Sequence, residues 1–355
     1  MAPERESPIR PLPLIPIEVL RRHRVLEKFD TRFRACARLL QAQWRERQEL
    51  PIGSFTPPGG RKRRIGSLLS LSAAEAGRNF LSPDVAHLAR REVAYQESGA
   101  FIDQRRLYGN LLSSMPLAFN LFAPLRFNPD LAAKVLRSLI PGIDLIKVLY
   151  VWFEHSPGRR SEALTDDQTA FDVAFVYERA DRAWGFLGVE VKYAETLTEP
   201  PPSEVNLRYD ALAPESCLFK SPMSALLRVN PLQQLFREHL LAQAALVRGD
   251  YAEASFLLVA PRHNHLVQKG AALYASHLTE PGPGQVPFLN IELEQVIEAL
   301  GWAGELDYAY ALYDRYCHWS KLDTLVEEAL RARGQNWSLN PPRPEGPAML
   351  IGKVA

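Results

Sequence analysis

The chain has 355 residues, 46% hydrophobic and 23% charged, with a net charge of +1. That composition belongs to an ordinary globular protein; it excludes a low-complexity chain, and no run approaches the roughly 20 apolar residues that cross a bilayer. Cys36, Cys217 and Cys317 are odd in number and widely spaced, which excludes a disulfide framework and a zinc pattern.

Residues 1–17 read as a disordered, proline-broken tail with no apolar signal segment, so a cytoplasmic protein is expected. The excess of Arg over Lys, with many Ala, Leu and Pro, suits a GC-rich bacterial gene. A helix is predicted over 16–49, because Leu26, Phe29, Phe33, Cys36, Leu40 and Trp44 recur at three- and four-residue steps. Its other face carries Arg24, Lys28, Arg32, Arg34, Arg38 and Arg45. Arg61, Lys62, Arg63 and Arg64 follow a Pro-Pro-Gly-Gly loop, so residues 21–64 hold 13 basic residues against four acidic ones. Such asymmetry suits contact with nucleic-acid phosphates; a solvated helix face is the plainer alternative.

Helical patterns follow over 73–98, with Ser72 as N-cap, over 103–122, and from Asn128 to Pro141-Gly142. Residues 144–153 form an apolar strand that ends in Glu154-His155. Two further strands, 169–177 and 184–193, are joined by the charged turn 178–182. A Pro-rich excursion over 198–226 precedes a helix at 231–247 and a strand at 254–260. Another strand is expected at 286–292 and one or two helices over 303–333. The central order is helix, three strands, helix, strand, an α/β arrangement written αβββαβ. The chain divides into a basic helical region (18–100), a core (101–300), C-terminal helices (301–340) and an irregular tail (341–355).

The chemistry concentrates on two strands. Residues two apart share a strand face, so Glu190 and Lys192 point one way and Val189, Val191 and Tyr193 the other. A hairpin sets the strand of Asp172 beside them, at roughly 4.8 Å. Buried strands rarely carry Asp, Glu or Lys unless these are paired or bind metal. Two carboxylates can hold Mg²⁺, whose other positions take water and phosphate. The ion would lower the pKa of a bound water and neutralise developing charge, while Lys192 holds the water or a phosphate oxygen. That is equipment for hydrolysing a phosphodiester. Short Glu-x-Lys triplets also arise by chance, and a structural Glu–Lys contact is the plainer alternative. Glu154 is a further ligand candidate. His155 and Arg159 in the loop after it, and Arg237 on the 231–247 helix, are candidates to meet phosphate. His263-Asn264-His265 reads as a polar loop. No phosphate-binding glycine motif and no Gly-x-Ser-x-Gly appears.

At these residues the chain resembles the PD-(D/E)xK nuclease superfamily, whose pattern is an acid on one strand and Glu-x-Lys on the next. Phe171 stands where the proline of that pattern would be. Stretches 111–122, 153–159, 167–172, 188–193 and 234–241 are similar to a bacterial branch of restriction-endonuclease-like proteins, over roughly residues 30–265. The resemblance implies a restriction-endonuclease-like core with a mixed sheet and helical additions at both ends. It implies Asp172 and Glu190 as metal ligands, Lys192 as the catalytic lysine, Mg²⁺ (Mn²⁺ as an alternative) as cofactor, DNA as substrate and a restriction or defence role. It also implies an extra acid from an upstream helix, Glu97 in preference to Glu92, and a glutamine beside the site, Gln234 in preference to Gln233. Arg61, Lys62, Arg63, Arg64, Arg159 and Arg237 make up the expected nucleic-acid-binding set. The rival readings are a non-cleaving nucleic-acid-binding protein and a partner-binding protein that uses residues 21–64 and 303–333 as surfaces. Paired cuts in duplex DNA would call for a homodimer.

Overall fold

The computed structural model describes residues 10–57, 59–198 and 206–332; the expected tail 341–355 and most of the tail 1–17 lie outside the described residues. The described residues form seven strands: β1 (Ile52–Phe55), β2 (Arg63–Leu69), β3 (Lys147–His155), β4 (Phe171–Glu178), β5 (Trp184–Val191), β6 (Glu253–Ala260) and β7 (Phe288–Glu292). β1 and β2 make a separate antiparallel hairpin. The others form one sheet in the order β3-β4-β5-β6-β7, antiparallel from β3 to β5 and parallel from β5 to β7. Parallel neighbours need a crossover. Helix Gln233–Arg248 supplies it between β5 and β6, and helix His265–His277 between β6 and β7. With helix Pro129–Leu139 ahead of β3 the αβββαβ order is present, in a mixed α/β sheet flanked by helices.

Both faces of the sheet are covered, which is why β4, β5 and β6 read as nearly unbroken apolar runs. Val173, Phe175, Leu187, Val189, Val191, Leu257 and Val259 face a core shared with helices Ser114–Phe127 and Pro129–Leu139 and with the N- and C-terminal helices. Ala174, Val176, Phe186, Phe256 and Leu258 face Leu235, Phe236, Leu240 and Leu241 of helix Gln233–Arg248. Asp172 and Glu190 fall by alternation on this second face.

Three expected helices are each two. The predicted 16–49 helix is Ile17–Arg22 and Arg32–Arg47: the chain turns at Arg24, whose φ is +56°, and restarts at Thr31, whose hydroxyl accepts the Arg34 N–H. Leu26 and Phe29 therefore lie in the connection, 39% and 89% exposed, and not in the core. The predicted 73–98 helix is Leu71–Glu75 and Pro83–Ala94, capped by Ser70 and Ser82, not by Ser72. The predicted 103–122 helix is Gln104–Gly109 and Ser114–Phe127, capped by Asp103 and Ser113. In each case a short polar side chain takes up an N–H of a new first turn, a local bond that hydrophobic periodicity does not register. The β1–β2 hairpin and helices His265–His277 and Leu293–Trp302 come in addition to the predicted elements.

The C-terminal helix Leu306–Tyr316 brings the fully buried Arg315 against the N-terminal helix. Its guanidinium donates to the carbonyl and side-chain oxygens of Asn79 at 2.8 and 2.5 Å and lies 3.9 Å from the centre of the Trp44 ring. Gln41 donates to Arg315 O at 2.9 Å and to the Tyr193 hydroxyl at 3.1 Å. Helices Arg32–Arg47 and Leu306–Tyr316 are thereby tied to the residue next to Lys192.

Candidate active site

The register pairs Val173 with both Phe153 on β3 and Val189 on β5. One further step along each ladder sets Glu154, Asp172 and Glu190 in a row across three strands. All three line a cavity of about 300 Å³ together with Lys192, Gln234 and Glu238, and its walls include Arg106, Arg159 and Arg237. Glu154 has φ +50°, a left-handed conformation uncommon outside glycine, at the point where β3 turns into the 156–170 loop.

The hydrogen bonds fix the acids. Lys192 Nζ lies 3.0 Å from Glu190 Oε1, with both residues almost wholly buried. Gln234 Nε2 donates to the same Glu190 oxygen at 2.8 Å and to Glu238 Oε1 at 2.9 Å. The Val191 N–H donates to Asp172 Oδ2 at 2.8 Å. Burial and then the Glu190 charge push the Asp172 and Glu238 carboxyls well above the usual range, against the pull of Lys192. The same two causes raise Glu154 to about 7. Acids that crowd together out of water resist simultaneous ionisation, and a divalent cation would relieve that. Among the described residues no three His, Cys, Asp or Glu side chains stand close enough to hold an ion by themselves. Mg²⁺ does not require that, since it takes one or two carboxylates and keeps water and phosphate in its other positions. The oxygen donors Asp172 and Glu190 fit it.

A model of the PD-(D/E)XK nuclease superfamily matches residues 28–318. The chain belongs to this superfamily. Neither the curated proteins nor the solved structures give a match. Membership points to nuclease activity, and the mixed five-stranded sheet with flanking helices is consistent with the restriction-endonuclease-like fold. No described helix is long and apolar enough to cross a membrane.

Within this PD-(D/E)XK frame the expected residues divide sharply. Asp172, Glu190, Lys192, Gln234, Arg159 and Arg237 line the cavity. Phe171, in place of the superfamily's proline, presses its ring where a side chain at Gly188 would stand, 2.5 Å from a Cβ there. Glu97 does not line the cavity and is not on a helix; it sits in the turn after Pro83–Ala94. It bonds His155 and accepts from the Ser156 N–H and Arg159 Nε, each at 3.3 Å. Burial opposes its ionisation, but the His155 bond and charge hold its carboxyl below the usual range. Its role in these contacts is to anchor Arg159, which donates to Glu154 O at 2.5 Å and Gln168 O at 3.0 Å. Glu92 pairs instead with Arg126 at 3.9 Å, and Gln233 accepts from Arg237 at 3.0 Å.

Arg61, Lys62, Arg63 and Arg64 are exposed in and before β2, and none lines the cavity. Much of the basic helix face is used internally. Arg38 bonds Asp30 at 2.6 Å and Ser67 at 2.9 Å, and Arg45 donates to Gly66 O and Leu50 O at 2.9 and 2.8 Å. His263 is buried, with its imidazole pushed down to about 4 by burial, and His265 already opens a helix, so this stretch is not a polar loop.

Glu238 and Arg106 were not expected in the cavity. Glu238 had a readable signal: it is an acid four residues after Gln234 inside the apolar run Leu235-Phe236…Leu240-Leu241. Arg106 had none, because the cavity wall it joins is set by Glu195, which it contacts at 2.9 Å and which also accepts the Ser114 N–H at 2.8 Å.

Proposed function

We propose that this protein is a Mg²⁺-dependent nuclease that hydrolyses DNA phosphodiester bonds in the cavity of Asp172, Glu190 and Lys192. The observation that carries the reading is the Lys192 ammonium 3.0 Å from Glu190, both almost wholly buried beside Glu154, Asp172 and Glu238. Taking such charges out of water costs several kcal/mol per ion, so the pair is poor value as packing and makes sense as chemistry. A divalent cation on Asp172 and Glu190, Mg²⁺ or Mn²⁺, would polarise the phosphate and lower the pKa of a bound water.

The chain's own groups do the positioning. The Val191 N–H orients Asp172, and Gln234 with Lys192 holds Glu190 in one rotamer. Lys192 is the fixed cation that would hold the attacking water or a non-bridging phosphate oxygen. Water adds to phosphorus as the ester P–O bond breaks; it gives up one proton to solvent, and the leaving oxygen takes one from solvent. Arg159 and Arg237 line the wall where flanking phosphates would lie. Arg61, Lys62, Arg63 and Arg64 would meet the duplex backbone outside the cavity. The restriction or defence role follows the resemblance, and cutting both strands would take a second copy of the chain.

The test is cleavage of supercoiled and linear DNA with Mg²⁺, with Mn²⁺ and with EDTA. Cutting is expected only with metal, and Glu190→Ala and Lys192→Ala should each lower it by about 100-fold or more. Folded wild-type protein that cuts neither DNA nor RNA, or cutting that survives both substitutions, would overturn the reading.

A further inference from the structure

We propose that Phe101 stacks on an unpaired base beside the scissile phosphate, so that the cavity takes single-stranded DNA; the proposal rests on the nuclease reading above. Phe101 is 79% exposed and lines the cavity, and among the described lining residues it is the one aromatic side chain. A lone exposed apolar residue is ordinary. This one is held out of the core by neighbours that are pinned on both sides.

Before it, Glu97 bonds His155, whose ring packs 4.4 Å from that of Trp152, and accepts from the Ser156 N–H and Arg159 Nε. The Ala100 N–H donates to Glu97 O at 2.9 Å, and Gly99, at φ +83°, lies against Gln168. After it, Ile102 is buried in the core. Asp103 caps helix Gln104–Gly109, accepting from the Arg105 and Arg106 N–H groups at 2.9 and 3.1 Å. The segment 97–103 is therefore a fixed rim, and the ring on it stands in water at the mouth of the cavity.

The rest of the wall indicates what meets the ring. Arg106, Arg159 and Arg237 line the same cavity and suit phosphate. Their charge serves the backbone of a strand. A flat apolar ring beside them serves its bases, and this pairing is what single-strand sites use, since every base has a π-face. In a duplex those faces are covered by the neighbouring pairs. Glu190 and Lys192 are only 4% and 3% exposed, so a scissile phosphate must pass below the rim to reach them. Its nucleotide follows it past Phe101, which a paired base cannot do without leaving its partner. A duplex on the exposed basic stretch 61–64 is compatible with this, provided that the strand entering the cavity is unpaired.

The experiment measures binding of a mixed-sequence DNA oligonucleotide, as a single strand and as its blunt duplex, by fluorescence anisotropy with Mg²⁺. The full chain carries Lys192→Ala to slow cutting, alone and with Phe101→Ala, Phe101→Leu or Phe101→Trp. The single strand is expected to bind more tightly than the duplex, by about 10-fold or more. Phe101→Ala and Phe101→Leu should weaken it by about 10- to 100-fold; Phe101→Trp, which keeps a flat ring, should not. An abasic site moved along the strand should cost the same factor at one position, and nothing there once Phe101→Ala is present. Equal affinity for the two forms, binding to neither, or an abasic loss that persists in Phe101→Ala would overturn the proposal. Preference for the duplex would make Phe101 a wedge between paired bases and would overturn it too. Wild type that cuts duplex as fast as single strand, with Phe101→Ala equally active, would sink the stacking and leave the nuclease reading standing. Stacking without cleavage by wild type in Mg²⁺ or Mn²⁺ would uphold Phe101 and sink the nuclease reading.

Discussion

The Glu154 carboxyl, raised to about 7 by burial and then by the Glu190 charge, ties cation binding to pH. Asp172 and Glu238 are shifted in the same direction. A cation that needs these groups ionised must displace protons below that value. Affinity for Mn²⁺ should therefore rise with pH through about 7. Titrations between pH 5.5 and 8.5 would show this, and Glu154→Gln should flatten the curve; a flat wild-type profile would contradict it. In the metal-free protein the sign reverses. The folded state binds the Glu154 proton more tightly than the unfolded chain, so its contribution to stability is present at low pH and is lost as pH rises from about 4.5 to about 7. Asp172, Glu190 and Lys192 could be picked out of the sequence because acids and a lysine stand out against apolar strands, whereas Gln234 was pointed to by the family resemblance alone. Glu238 lies on the same face as Gln234, and as an acid inside the apolar run Leu235-Phe236…Leu240-Leu241 it was legible too.

Helix Gln233–Arg248 serves two ends at once. Its first turns carry Gln234 and Glu238 to the cavity. Its next turn buries His239, whose Nε2–H donates to Val286 O at 2.7 Å while Nδ1 accepts from the Tyr274 hydroxyl at 2.9 Å. The Nδ1 acceptance requires a neutral ring, and burial pushes its pKa down to about 4. The folded value lies below the unfolded one, so this stability is complete above pH 6.5 and is lost as pH falls toward 4, up to roughly 3 kcal/mol. Urea unfolding of wild type and His239→Gln at a series of pH values would isolate it, because Gln offers a donor and an acceptor and does not titrate. A difference between the two proteins that stays constant with pH would refute the claim. The same contrast explains which elements were legible. β3 to β7 announce themselves as apolar runs of strand length. Helix His265–His277 has no side-chain N-cap and only a thin apolar stripe of Val267, Ala271 and Tyr274, and β1 and β2 are short, so each gave a weak signal.

At the scale of the molecule, the sheet is braced from outside its own topology. Gln41 and Arg315 are 274 residues apart, and between them they hold Asn79, Trp44 and the Tyr193 hydroxyl. Tyr193 O accepts a further bond from Asn264 at 2.9 Å. The segment after β5 that carries Lys192 is thus fastened by the N-terminal helix, by the loop after β6 and, through Gln41, by the C-terminal helix. No pattern in the sequence marks such a junction. An arginine in a Tyr- and Leu-rich helix looks like any solvent-facing charge until its neighbours in space are known.

That junction has a consequence for the order of events on the ribosome. Every residue lining the cavity has been made by position 238, while Arg315 emerges much later. A nascent chain that stops short of Arg315 carries its acids and lysine without the brace that aligns them, so cutting is expected only once Arg315 has been made. A chain ended at Gly304 should then be protease-sensitive and inert toward DNA, where one ended at Ala332 resists digestion and cuts. Equal protease resistance of the two would show that the strands set themselves without help from the far end of the molecule.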